Sequence, residues 1–476
     1  MDAPSCPGCL QRDRQIDQLQ QRVAALEARV TELLARLDEQ QRAGKRQASP
    51  FAKGPPKDRP KKPGRKAGDP HGMHAHRPPP APETIDETLE APLPDACPHC
   101  GGAIAEDDAL DEQFQTDLPT GPVRRRFRIH QGTCQGCGRR VRGRHPLQTS
   151  DATGAAQSQL GPNVQASIVY LNKRSGLSYG KIADYLQEAN GIVIQPSTAT
   201  RIVLRLADQL QPAYQEIRES LKNSAVITPD ETGWRQGGRP VWLHAWVGEQ
   251  ATGYVIDPHR SASALEQVIG LDYSGTLVHD GAATYDRFSA AVHQGCVAHV
   301  LRRAHHLEQR QLGRARSFPR AVIALLQAAL DLRADYRQGR RSADELFAAY
   351  EGYCDRLYRL TERPRANAAN ETFAAHLHRY GASWFVFLLA PDAIPATNYQ
   401  AEQALRTPIV NRKVFGGNRT ETGCRAQAAT SSTIQTCKQQ KRSAFAFLRD
   451  TACGLAQSIF SAVSGRERSA ADPVPA

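Results

Sequence analysis

Five consecutive segments between Ser224 and Tyr285 restrict what this chain can fold into more than any other stretch. Over 155–222 the apolar residues recur with a helical period, and from there with a strand-like one. "SAVITPDETGW" (224–234) reads as a buried strand ending at Asp230, "PVWLHAWVGE" (240–249) as a second and "ATGYVIDP" (251–258) as a third. "SASALEQVIG" (261–270) has helical spacing, and "GTLVHDGAATY" (275–285) returns to a strand that ends at Asp280. The order is β-β-β-α-β: three antiparallel strands, then a helical crossover to a strand parallel to the first.

That order is ribonuclease H-like, with the first and fourth strands side by side. Asp230 and Asp280 are then expected at neighbouring strand ends. Two ionised carboxylates held close repel unless a cation neutralises them. Mg²⁺ (or Mn²⁺) is the expected occupant, because it prefers hard oxygen ligands and retains water. A third carboxylate would complete a two-metal site, with ions about 3.5–4 Å apart, suited to phosphoryl transfer. Glu402 meets that need. "NYQAEQALRTPIVNRKVFGGNR" (398–419) reads as a helix starting near Thr397 or Asn398, and its Ala401, Ala404 and Leu405 form an apolar face without the acid. Arg406, Arg412, Lys413 and Arg419 are expected to face a phosphate backbone. Taken singly, an Asp at a strand end is usually a turn residue and a helix Glu a solvated one. Glu231, Asp286 and Glu421 are neighbouring acids that could be mistaken for ligands.

With 476 residues the chain needs more than one core. Its net charge of +12 favours a polyanionic partner such as nucleic acid. Ile16, Leu19, Val23, Leu26, Val30, Leu33 and Leu37 follow a 3,4 spacing, which predicts a coiled coil over 1–41. Branched residues at a and Leu at d favour a parallel dimer. Residues 42–92 are rich in Pro, Gly and basic residues and form a linker. Lys61, Lys62, Arg65 and Lys66 within it could enter a minor groove or simply neutralise phosphates. Cys97 and Cys100, then Cys134 and Cys137, form two CxxC knuckles of a zinc ribbon over 93–148, with four thiolates closing a structural Zn²⁺ site. Cys6 and Cys9 are an orphan half-site. Residues 150–222 are helical and DNA-binding in character. A helix, a turn at Asn190-Gly191 and a helix opening at Pro196 suggest a helix-turn-helix, with Thr198 and Arg201 near the start of the reading helix; an ordinary helical hairpin has the same pattern. No segment nears the ~20 apolar residues of a membrane span, and the expected location is cytoplasmic, on the nucleoid when DNA is bound.

The pieces "PDETGWR", "HDGAATYDRF", "CVAHVLRRAHHL", "TNYQAEQALRTPIVNRKVFGGNRTETGCRA" and "TIQTCKQQ" resemble the DDE-type transposases of the bacterial insertion sequence 66 family. The zinc ribbon and coiled coil occur in the same order there. The resemblance covers nearly the whole chain and implies that Asp230, Asp280 and Glu402 are the acid triad. Where the family usually reads "NNRAER", this chain has "NYQAEQ", so Tyr399, Gln400 and Gln403 change local DNA contacts while the carboxylate stays. The implied architecture is α+β and multidomain, with a ribonuclease H-like α/β core in two parts, 223–308 and 396–430. A helical insertion (309–395) separates them and a helical tail (431–476) follows. The implied activity is metal-dependent nicking of DNA at element ends and strand transfer into target DNA, by a homodimer or higher oligomer, in many cases with accessory proteins of the same element. The alternative is a catalytically silent zinc-ribbon DNA-binding protein; a nuclease that cuts without joining is a further rival. Cys296 and His299 form a CxxH after Asp280, which suits packing and DNA-end positioning better than zinc, since two further ligands are missing.

Overall fold

The computed structural model describes residues 159–461 continuously, with 7–42, 80–86, 88, 103, 121–145, 148, 151 and 152 before them. Near the N-terminus, helix α1 (Pro7–Arg42) carries the heptad seam. Its Ile16, Leu19, Val23, Leu26, Val30 and Leu33 are 48–64% exposed. A short antiparallel hairpin follows, β1 (Gln131–Thr133) with β2 (Arg140–Arg142). Between Val123 and Thr133 the strand is confined to β1, three residues long.

Four helices precede the sheet: α2 (Pro162–Lys173), α3 (Tyr179–Asn190), α4 (Pro196–Gln209) and α5 (Gln211–Lys222). Helix α3 is capped by the Ser178 hydroxyl and ends at Gly191 in the left-handed region. Pro196 opens α4, where its missing N–H costs nothing.

The core sheet has five strands: β3 (Val226–Gln236), β4 (Arg239–Val247), β5 (Thr252–Asp257), β6 (Thr276–His279) and β7 (Val292–Gly295), in spatial order β5-β4-β3-β6-β7. Strands β3, β4 and β5 form an antiparallel meander; helix α6 (Ser263–Ile269) crosses over, and β6 pairs parallel to β3. The β-β-β-α-β order is thus as read from the sequence, and β7 adds a further parallel strand. Strand β3 does not end at Asp230. Its hairpin with β4 continues to Gln236↔Arg239, turning through Gly237 and Gly238, both at positive φ. What stops early is the pairing with β6, whose last partners are Ile227 and Leu277. Pro229, which has no N–H to give, lies just beyond.

Alternation along the strands sorts the two faces. Trp234, Leu243, Ala245 and Tyr254 pack with Ala401, Ala404 and Leu405 of helix α11 (Tyr399–Phe415). On the same face Val278 of β6 packs against α7 (Val297–Arg310) and against the insertion, built from α8 (Ser317–Arg337), α9 (Ala343–Thr361) and α10 (Ala368–Tyr380). Gly295 lets β7 meet the insertion closely, because a Cβ there would stand 2.3 Å from the Trp384 ring. The opposite face, with Ile227, Trp246 and Leu277, packs on the helical region and on α13 (Ala444–Ala452).

The exposed edge of β5 is covered by α12 (Glu421–Gln439). The Ser432 and Thr436 hydroxyls accept from the Tyr254 and Thr252 N–H groups at 2.9 and 3.0 Å, and Gln439 accepts from the Thr252 hydroxyl at 2.7 Å. Side chains one helical turn apart thus satisfy an edge strand that would otherwise pair with another chain. This helix runs through residue 430, where the sequence suggested a boundary.

Candidate active site

Register places the first two acids. The offset that pairs Ile227 with Leu277 brings Asp280 level with Asp230, just past the last paired residues of β3 and β6. Asp230 shares the face of Trp234, onto which α11 packs, and Asp280 shares the face of Val278, onto which the insertion packs. Glu402 lies in the first turn of α11. All three therefore border the seam between α11 and the insertion.

Electrostatics agree with this placement. The Asp230 carboxyl is pushed up to about 7, first by burial and then by the charge of Glu231, with Asp280 and Glu402 adding to it and the Glu231 N–H opposing. That N–H donates to Asp230 Oδ1 at 2.9 Å, and the Ala282 N–H donates to Asp280 Oδ1 at 3.0 Å. Gly281, at φ +82, makes the turn that allows the second bond. Among the described residues, side chains face Glu402: Arg302 Nη2 lies 3.8 Å and His299 Nε2 3.7 Å from its Oε1. As placed, no three His, Cys, Asp or Glu side chains among the described residues converge tightly enough to grip one ion.

The neighbouring acids are engaged elsewhere. Glu231 points to the opposite face, where Arg260 Nε donates to it at 2.6 Å and the Tyr285 hydroxyl at 3.2 Å. Asp286 accepts from Arg379 at 2.5 Å and from the Tyr380 hydroxyl at 3.2 Å. Glu421 is exposed at the start of α12.

Sequence reasoning passed over a histidine pair beneath Asp280. His279 is buried and its pKa is lowered to about 4 by burial and by His293. Its Nδ1 accepts from the Gly281 N–H at 3.2 Å, so Nε2 carries the proton and donates to His293 Nδ1 at 3.0 Å. His293 Nε2–H in turn donates to the Phe288 carbonyl at 3.0 Å. Two neutral rings thus brace the turn that bears Asp280. The His–Asp-Gly sequence was the available signal.

Of the expected DNA contacts, Arg406, Lys413, Arg419 and Arg201 are exposed, and Thr198 is half-buried in the first turn of α4. Arg412 is in part committed elsewhere, since it donates to the Gly233 carbonyl and anchors α11 to β3. Lys61, Lys62, Arg65 and Lys66 lie outside the described residues, as do Cys6, Cys97 and Cys100. Cys134 and Cys137 are free and exposed at the tip of the β1–β2 hairpin. Backbone N–H groups of Cys137 and Gly136 lower the Cys134 thiol pKa. Cys296 is buried, with its sulfur accepting from the Asn398 N–H at 3.4 Å. No helix among the described residues is long and apolar enough to cross a membrane.

Comparison with curated proteins gave no significant match. The family model described as "Transposase IS66 family" matches residues 157–427, more than half of the chain. The match takes in both strand acids, the insertion and the first turn of α11. By that match the chain belongs to the IS66 family of transposases.

Proposed function

We propose that the protein is a DNA transposase that nicks DNA at element ends and transfers the freed 3′-hydroxyl into target DNA. The observation that carries this reading is the level placement of Asp230 and Asp280 on adjacent parallel strands, under the helix that bears Glu402. Carboxylates suit a hard divalent cation, and the raised Asp230 pKa reflects negative charge gathered in a buried place. Asp230, Asp280 and Glu402 would hold Mg²⁺ (or Mn²⁺), with side-chain closure drawing them together. Bound there, the ions would activate the attacking oxygen and neutralise the leaving one. The chain's own part is positioning: β3 and β6 fix two acids, and α11 brings the third while excluding water from the sheet.

Arg406, Lys413 and Arg419 extend from Glu402 along α11 and its following loop, and support phosphate contacts there. Arg412 would hold the helix rather than the DNA. Thr198 and Arg201 on α4 would meet DNA as in a helix-turn-helix. Cys134 and Cys137 supply half of the donor set for a structural Zn²⁺, with Cys97 and Cys100 as the other half. The exposed heptad residues of α1 suit a second copy, so both element ends can be held by a homodimer or larger assembly.

Purified protein, Mg²⁺ and DNA carrying the ends that flank its gene would test this. Nicked and joined products that vanish in Asp280→Asn and Glu402→Gln are expected. Binding without nicking, unchanged by either substitution, would leave the silent DNA-binding alternative; nicking without joining would leave a nuclease.

A further inference from the structure

The loop between β5 and α6 carries an arginine, Arg260, that no sequence pattern singles out. Register brings this loop to the acids' end of the sheet. Strand β5 ends at Asp257, which pairs with Trp242 of β4, and Trp242 pairs with Gly233 of β3, three residues beyond Asp230. The backbone beside Arg260 is pinned twice. The His259 N–H donates to Asp257 Oδ1 at 2.7 Å, and the His259 carbonyl accepts from His244 Nε2 at 3.2 Å. From there Arg260 reaches over the sheet face opposite α11. Its Nε donates to Glu231 Oε1 at 2.6 Å, and its guanidinium carbon stands 5.2 Å from the centre of the Trp242 ring.

A guanidinium that served only to neutralise Glu231 would be expected to take both carboxylate oxygens with two parallel N–H groups. Here Nε serves Oε1, while Oε2 accepts from the Tyr285 hydroxyl at 3.2 Å. Among the described residues neither Nη of Arg260 makes a hydrogen bond. The Glu231 side chain is 8% exposed and that of Arg260 41%, so the fork has one buried, fixed edge and one open edge. Against the cost of burial, the charge and hydrogen bond of Glu231 and then the charge of Asp280 raise the Arg260 pKa, which puts the cation within the field of a strand acid. Tyr285, which fixes Glu231, lies in the segment that follows Asp280, so the fixed edge is tied to both acid-bearing segments.

Resting on the reading of the protein as a DNA transposase, we propose that Arg260 is a DNA-binding residue. Its open edge takes a phosphodiester of the strand lying across Asp230 and Asp280, and Glu231 and Trp242 hold it in place beforehand. A planar guanidinium fixed along one edge loses little freedom when the other edge is taken up. It stands across the sheet from the cations of α11, so the DNA is gripped from both faces.

The test measures binding of the full chain to labelled DNA carrying the element ends, by fluorescence anisotropy across a range of salt and without added Mg²⁺. Arg260→Ala is expected to weaken binding about tenfold, as loss of a charge-assisted contact does, and to lower the slope of log K against log salt by about one. That substitution strands the buried Glu231 charge, so the same losses are measured in Glu231→Gln/Arg260→Ala, where no charge is stranded. A methylphosphonate moved along the strand removes one phosphate charge at a time. One position should weaken the wild type and leave Arg260→Ala unaffected. Wild-type affinity and slope in the double variant, or no methylphosphonate position that distinguishes wild type from Arg260→Ala, would overturn the proposal and leave Arg260 as the counter-ion of Glu231. A wild-type chain that binds no DNA would instead overturn the transposase reading, and this assignment with it.

Discussion

The two strand acids and the helix acid are held in different ways. Asp230 and Asp280 sit at matching register on adjacent strands, and each carboxylate accepts a backbone N–H from its own neighbourhood. The histidine pair further stiffens the turn after β6. Among the described residues no backbone N–H donates to the Glu402 carboxylate; the side chains of Arg302 and His299 face it from α7. Backbone register fixes two of the acids, and the third is placed by a helix start and side chains alone. In the proposed transposase, such an arrangement would let one face of the site open for DNA and close around it without disturbing the sheet.

The largest expected effect tests that contrast directly. Asp280→Glu, which pushes a carboxylate outward from a fixed backbone, should lower nicking about 10³-fold, whereas Glu402→Asp should lose about 10–100-fold, because a misplacement near 1 Å costs about 10². Equal losses, measured as single-turnover rates, would break the distinction between fixed and movable acids. Next, Leu405→Ala at the contact between α11 and the sheet should destabilise the protein by about 2–4 kcal/mol, the usual cost of emptying a core leucine. Urea unfolding would read this; a loss below about 0.5 kcal/mol would mean that α11 is not anchored by its apolar face.

The far end of α11 is tied differently, and pH exposes it. Lys173 is buried, donates to Gln427 at 2.8 Å, and its carbonyl accepts from Asn411 of α11 at 2.7 Å. Burial lowers its pKa to about 7. Between that value and the unfolded one of 10.5 the unfolded chain binds the extra proton, so stability rises with pH across this window and the full cost of the buried charge is felt below 7. Lys173→Met should flatten that rise and be more stable at pH 7 by about 1–3 kcal/mol, with part of the gain offset by the donor Gln427 loses. An unchanged slope in thermal melts from pH 7 to 10 would contradict the burial. The smallest effect is expected of Arg302→Ala. Its exposed pair with Glu402 is worth less than about 1 kcal/mol, so stability should hardly change. A large loss would show Glu402 to be rigidly clamped after all.

Asp230, Asp280 and Glu402 stand out in the sequence beside well-patterned segments, and the fold brings the first two level on adjacent strands. The order of strands followed from the change of period at residue 224. The pattern of "SAVITPDETGW" predicts a strand that ends at Asp230, whereas only one side of β3 loses its partner there and the hairpin with β4 carries on. Strand β7 was missed since "VHQG" has a single apolar β-former and is defined by its neighbour rather than its own propensity. His279, His293 and the engagement of Glu231 by Arg260 depend on contacts across the fold that no local pattern encodes. Arg412 looked like its exposed neighbours because helical spacing does not reveal which carbonyl lies within reach.

Mn²⁺ titration followed by electron paramagnetic resonance, on the wild type and on Asp230→Asn, Asp280→Asn and Glu402→Gln, tests most directly whether the three acids form one site. Each substitution is expected to weaken binding about tenfold or more, as loss of a charged ligand should. Wild-type affinity in Glu402→Gln would contradict a shared site, and would leave Glu402 as a partner of His299 and Arg302 alone.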